Sequence, residues 1–90
     1  MQTVHVLIEG QVQGVFFRDY TEKKAVELRL NGWVKNMANG TVEAVFSGEE
    51  KDVTTMIESL HTGSPNSKVE KVTVNDFLAL EDFSHFEIIY

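Results

Sequence analysis

The feature that most constrains this chain is a change of hydrophobic period that occurs twice, each time in the same order. Val4, Val6 and Ile8 alternate with Thr3, His5 and Glu9, the period of two that marks a half-buried strand. From Phe17 the spacing lengthens. Phe17, Thr21, Ala25 and Leu28 recur at helical intervals, with Glu22, Lys23, Lys24, Glu27 and Arg29 largely on the other sides, so an amphipathic helix of about three turns is expected, stopped by Asn31-Gly32. Trp33 to Met37 and Thr41 to Phe46 read as two strands of a hairpin, because Ala38-Asn39-Gly40 between them holds an Asn-Gly pair suited to a tight turn. Ser47-Gly48-Glu49-Glu50 has the S-x-x-E arrangement of a capping box and precedes the second helical stripe, Val53, Met56, Ile57 and Leu60. Beyond the loop Gly63 to Ser67, Val69 to Leu80 and Phe86 to Tyr90 read as strands, with Glu81-Asp82-Phe83-Ser84 between them.

The resulting order is βαββαβ with an added C-terminal strand. Two split βαβ units with right-handed crossovers interleave into an antiparallel sheet with both helices on one face, an α+β sandwich of the ferredoxin-like kind. A chain of 90 residues makes one small domain, 1–90, which buries only about 60% of the surface of its unfolded chain, so any site is expected to be shallow. The topology has a geometric consequence. The first and second strands run the same way with the third between them, so the loop after the first and the last residues of the second lie at the same end of the sheet.

That loop carries the chemistry. In Gly10-Gln11-Val12-Gln13-Gly14-Val15-Phe16-Phe17-Arg18, the glycines allow positive φ values that turn consecutive N–H groups toward one point. The following helix adds unpaired donors and the positive end of its dipole, and Arg18 adds a planar, permanently charged fork. Together these suit a phosphate-sized anion. The loop has neither the lysine and Ser/Thr of a Walker loop nor the G-x-G-x-x-G spacing of a dinucleotide site. The plainer reading is a strand-to-helix connection with a solvated arginine.

Composition narrows the partners. A formal charge of −6, with basic residues scattered and never in a run, opposes binding to a nucleic-acid backbone or an anionic membrane. Single-stranded RNA binding on the open sheet face, which shares the βαββαβ order, also lacks its stacking aromatics on the first and third strands. With no cysteine, the chain offers no disulfide and no thiolate nucleophile or metal ligand, and no His, Asp or Glu cluster has ligand spacing, so neither a metal nor another cofactor is expected. The start carries no basic flank followed by an apolar run, which points to the cytoplasm.

Two motifs at the right separation carry a family likeness. The segment Gly10 to Arg18, with Thr21, Ala25 and Leu28 behind it, resembles the first signature of the acylphosphatase family; Gly32-Trp33-Val34-Lys35-Asn36, Gly40-Thr41-Val42-Glu43 and Gly48 resemble the second. The similarity runs from about Val4 to Gly48 in register and more loosely to Phe86-Glu87-Ile88-Ile89-Tyr90. Phe16, where many members carry a smaller residue, and the loop Gly63 to Lys68 depart from the common pattern. The resemblance implies a cytosolic, monomeric, metal-independent hydrolase that splits small acyl phosphates into a carboxylate and phosphate. It implies that Gln13, Gly14, Val15, Phe16, Phe17 and Arg18, within the Gln11–Arg18 loop, hold the phosphate, and that Arg18 and Asn36 are the catalytic pair, Asn36 positioning the attacking water.

The chemistry stands apart from the name. The leaving carboxylate is stable at neutral pH, with a reference pKa of about 4, so no general acid is required. Phosphoryl transfer needs mainly positioning and charge stabilisation, and a side-chain amide can orient a water. No histidine is placed to act as a base: His5 is mid-strand, His61 ends the second helix and His85 precedes the last strand. The substrate phosphate taking the proton from water is the alternative to a nearby carboxylate. A different class of function also fits the fold: a non-catalytic module that senses acyl or carbamoyl phosphate. Such a module needs the arginine but not Asn36.

Overall fold

A computed structural model describes residues 1–76 and 83–90. Seven elements follow one another: β1 (Gln2–Gln11), α1 (Phe17–Glu27), β2 (Asn31–Asn36), β3 (Val42–Gly48), α2 (Glu50–Thr62), β4 (Lys68–Asp76) and β5 (Phe86–Ile89). The expected strand from Val69 to Leu80 is thus seen as far as Asp76; its Phe77 to Leu80 portion, and Glu81-Asp82 after it, lie outside the described residues.

The sheet order is β4-β1-β3-β2-β5. Both β1 and β2 pair antiparallel with β3, so they run the same way with β3 between them, as the interleaved βαβ units require. β4 closes the other side of β1, also antiparallel. The added strand β5 joins the outer edge of β2 in parallel, from Gly32 opposite Phe86 to Lys35 opposite Ile89, so a parallel edge completes an otherwise antiparallel ferredoxin-like sheet.

Alternation along the strands sends Val4, Val6 and Ile8 of β1, Val34 of β2, and Val42, Ala44 and Phe46 of β3 into the core. There they meet Phe17 and Ala25 of α1 and Val53, Met56 and Leu60 of α2, with Ile57 partly buried at the margin. Both helical stripes are therefore core. The opposite sheet face is polar and knit by side chains: Thr3 Oγ1 donates to Ser47 Oγ at 2.9 Å, and His5 Nε2 lies 2.7 Å from Glu43 Oε2. The Lys35 ammonium sits 3.5 Å from Glu43 and 5.2 Å from the Trp33 ring centroid, because all three side chains share this face.

Two local expectations are corrected. α1 does not run to Asn31-Gly32; it closes at Glu27 through a Schellman arrangement in which Arg29 takes the left-handed conformation (φ 60°). The Arg29 N–H donates to the Val26 carbonyl at 3.0 Å and the Leu30 N–H to the Ala25 carbonyl at 2.8 Å, satisfying carbonyls the helix end leaves open. Asn31 and Gly32 already belong to β2, where a Cβ at residue 32 would overlap the Val45 carbonyl. The capping box is also absent: pairing of Gln2 with Gly48 keeps Ser47 and Gly48 in the sheet, so Glu49 is the N-cap and makes no side-chain cap bond.

Candidate active site

The connection from β1 to α1 begins later than the sequence suggests. Gly10 is still in β1, at the register shift against β4, and a Cβ there would overlap the Lys68 carbonyl. Its positive φ of 129° serves this close strand approach rather than the turning of loop amides. The loop proper runs from Val12, which is buried, to Phe16.

Within the loop two residues lie in the left-handed region, Gly14 at φ 73° and Phe16 at φ 60°, while Val15 between them does not. Alternating hands along successive residues form a concavity of N–H groups suited to an anion. Phe16 is also the N-cap of α1, and its carbonyl accepts the first helical bond from the Tyr20 N–H at 3.0 Å.

Side chains outside the loop hold this shape. Gln13 Nε2 donates to two carbonyls of the β2–β3 turn, Met37 O at 2.7 Å and Thr41 O at 2.8 Å. The Gln13 side chain thus ties the loop to the hairpin that carries Asn36. From the other side Ser64, only 3% exposed, donates its hydroxyl to the Val15 carbonyl at 2.9 Å. The Val15 C=O and Phe16 N–H belong to one planar trans peptide unit and point oppositely, so this bond turns the Phe16 N–H away from Ser64.

Arg18 lies in the first turn of α1. Its guanidinium carbon stands 4.9 Å from the Tyr90 ring centroid, and Nη1 is 3.5 Å from the Ile89 carbonyl, so the last strand steadies it. Asn36 ends β2 two residues beyond buried Val34, which places its side chain on the helix-bearing face. Its Oδ1 is buried and has no hydrogen-bond partner among the described residues. A buried amide oxygen without a partner is unusual in a folded protein and calls for a function.

Both residues line one cleft of about 460 Å³, together with Val12, Gly14, Phe16, Phe17, Asp19, Ile88 and Tyr90. Of the expected residues, Gly14, Phe16, Phe17, Arg18 and Asn36 are therefore brought together; Gln13 and Val15 stand behind them, braced as described. His5, His61 and His85 do not line the cleft. Asp19 does, and it pairs with Lys23 at 3.1 Å. Ser64, Ile88 and Tyr90 were not singled out from sequence; only the topology, which returns β5 beside β2, brings the last two near Arg18. Among the described residues no three His, Asp or Glu side chains gather as a metal site, and no helix is long and apolar enough to cross a membrane.

The fold and cleft define the class: a ferredoxin-like α+β sandwich in which Arg18 and Asn36, its Oδ1 unpartnered among the described residues, line one cleft at one sheet end. The family model for acylphosphatases matches residues 4–88, and the chain belongs to the acylphosphatase family. It is 42% identical over 90 residues to the acylphosphatase of Syntrophus aciditrophicus, covering 100% of this chain and 94% of that protein. Among solved structures, the acylphosphatase from Bacillus subtilis superposes with a TM-score of 0.96 at 37% identity, each chain covered in full at 100%. That from Coxiella burnetii does so with a TM-score of 0.93 at 42% identity, covering 98% of this chain and 92% of that one.

Proposed function

We propose that this chain hydrolyses acyl phosphates to a carboxylate and inorganic phosphate in the cleft between the β1–α1 loop and the end of β2, acting as a single-domain monomer in the cytoplasm. The loop amides from Gly14 to Phe17 and the Arg18 fork hold the phosphoryl oxygens. Asn36 Oδ1 accepts a hydrogen bond from the attacking water and aims its oxygen at phosphorus. As the P–O bond to the acyl group breaks, the electron pair leaves with the carboxylate, which needs no proton at neutral pH. The proton of the water passes to a phosphoryl oxygen of the substrate, since His5 is engaged with Glu43 on the far face of the sheet. No step calls for a metal.

The observation that most supports hydrolysis over mere binding is the Asn36 amide oxygen, buried and unpaired in the same cleft as Arg18. A module that grips only the phosphate end has no use for an acceptor there, because the phosphate dianion of an acyl phosphate presents only acceptors of its own.

The test separates the two roles. Arg18→Ala should abolish both turnover and inhibition by inorganic phosphate, and Arg18→Lys should not restore them, since a point charge does not reproduce the fork. Asn36→Ala should lower kcat by about 10²–10³, the range for loss of one preorganised polar group, with phosphate inhibition nearly unchanged. Turnover should persist in excess chelator. Phosphate inhibition that survives Arg18→Ala overturns the anion assignment; a folded Asn36→Ala with near-full kcat overturns the water-positioning role.

A further inference from the structure

We infer that Glu43, on the sheet face away from the helices, is a positioning residue for the attack of water: by joining Lys35 to His5 it fixes the end of β2 and thereby the aim of the Asn36 amide. This rests on the proposed role of Asn36 and names the group behind the sheet that keeps Asn36 in place.

The backbone ladder holds Asn36 weakly. It occupies the last rung of the β2–β3 register, opposite Val42. On the other side β5 pairs with β2 only as far as Lys35 opposite Ile89, so at Asn36 the strand has already lost its outer neighbour. Strand ends of this kind open most readily. Aiming a water tolerates little such freedom, since a misplacement of about 1 Å can cost about 10²-fold in rate.

Side chains tie the residues on either side of Asn36. After it, the Met37 carbonyl accepts from Gln13 at 2.7 Å, and the Met37 N–H donates to the Thr41 carbonyl at 2.8 Å. Before it, Lys35 stands directly opposite Glu43 of β3, its ammonium 3.5 Å from Oε1. The second Glu43 oxygen, Oε2, reaches diagonally across the β1–β3 ladder to within 2.7 Å of His5 Nε2. An ionised carboxylate only accepts, so His5 Nε2 carries the proton of this bond. One side chain thus joins β1, β3 and β2 at the rung next to Asn36. The Glu43 and His5 side chains are 20% and 26% exposed, so the group is a shielded network, which holds a geometry that an isolated surface ion pair does not.

Successive side chains of a strand point to opposite faces, so Lys35 and Glu43 act on Asn36 through the backbone. Neither lines the cleft, and neither stands beside Arg18 or the β1–α1 loop. Disturbing them should therefore slow the chemical step and leave the grip on phosphate alone.

The experiment measures kcat on benzoyl phosphate and inhibition by inorganic phosphate, at a temperature where circular dichroism shows each variant folded. Glu43→Ala should lower kcat about tenfold with phosphate inhibition unchanged, and Glu43→Gln, which keeps the shape and one acceptor, should lose less. Lys35→Met keeps the stem beside Trp33 and leaves the His5 bond intact; its severalfold loss of kcat carries the test if Glu43→Ala does not fold. The deciding comparison is made in the Asn36→Ala background, where Glu43→Ala and Lys35→Met should have no further effect on kcat. A native kcat in folded Glu43→Ala or Lys35→Met overturns the inference. So does a loss of the same factor with and without Asn36, or a parallel weakening of phosphate inhibition, because either means that the network supports the fold at large. All three results leave hydrolysis and the role of Asn36 standing. Near-full kcat in Asn36→Ala alone would instead sink the water-positioning reading and this inference with it.

Discussion

Replacing Gln13 by methionine keeps the length of the side chain and removes only its amide. Two bonds are lost, to Met37 O at 2.7 Å and Thr41 O at 2.8 Å, both partly shielded from water. A typical net contribution is about 0.5–1.5 kcal/mol per bond, so the pair should be worth about 2 kcal/mol. In a domain of this size that lowers the thermal midpoint by roughly 8–16 °C. The functional effect is separate from the thermal one. With the loop untied from the β2–β3 turn, the anion site and Asn36 are no longer held in a fixed relation, so inhibition by inorganic phosphate should weaken and kcat should fall in protein that remains folded at the assay temperature. Thermal unfolding followed by circular dichroism gives the first quantity, and initial rates with and without phosphate give the second. A Gln13→Met protein that melts with the native chain and shows native phosphate inhibition would refute the bracing argument.

Other outcomes can be checked as readily. Ser64→Ala strands the Val15 carbonyl and frees its peptide plane, so phosphate inhibition should weaken severalfold while thermal stability falls by about 1 kcal/mol; an unchanged inhibition constant would show that Ser64 only packs. Arg29→Gly should raise stability by up to about 1 kcal/mol, because the left-handed Schellman position favours glycine. A fall in the urea midpoint would mean the arginine side chain matters more than its backbone. Burial pushes the Glu43 carboxyl upward, but the hydrogen bond and charge of His5 and the charge of Lys35 outweigh it, leaving the carboxyl below its ordinary value of 4.5. Glu43 therefore contributes stability that is present above that value and lost as pH falls through its lowered folded value. Urea titrations should show native and Glu43→Gln proteins converging in acid, and a gap that stays constant down to pH 2 would contradict the sign.

What could be read from the residues followed physical range. Val4-Val6-Ile8 and the Val53-Met56-Ile57-Leu60 stripe report burial directly, so the elements and their order were legible without coordinates. Ends were less so. Ser47 to Glu50 carries the letters of a capping box, but pairing of Gln2 with Gly48 claims Ser47 for the sheet, and long-range pairing outranks a local cap. Arg29 ends its helix in a conformation that no residue preference signals, while the more suggestive Asn31-Gly32 serves strand packing. Arg18, Gly14 and Asn36 were visible because their chemistry is uncommon. Ser64 was not, because the bond its hydroxyl donates reaches a carbonyl 49 residues away in sequence. The same holds for Tyr90, whose contact with Arg18 exists only once β5 lies along β2.

The dispersed bracing of the β1–α1 loop also bears on how the protein is made. Near the beginning of the chain, this segment receives its shape from Gln13's grip on residues 37 and 41, from Ser64, from the pairing of Gly10 with Val69, and from a contact between Arg18 and a residue 71 positions later. Distant pairings of this kind slow folding relative to chains of local contacts, because loop closure must precede its reward. On the ribosome the loop emerges before each of these partners, so its native shape has to await them. A nascent chain without residues 64, 69 and 89 therefore lacks the braces that shape the β1–α1 loop.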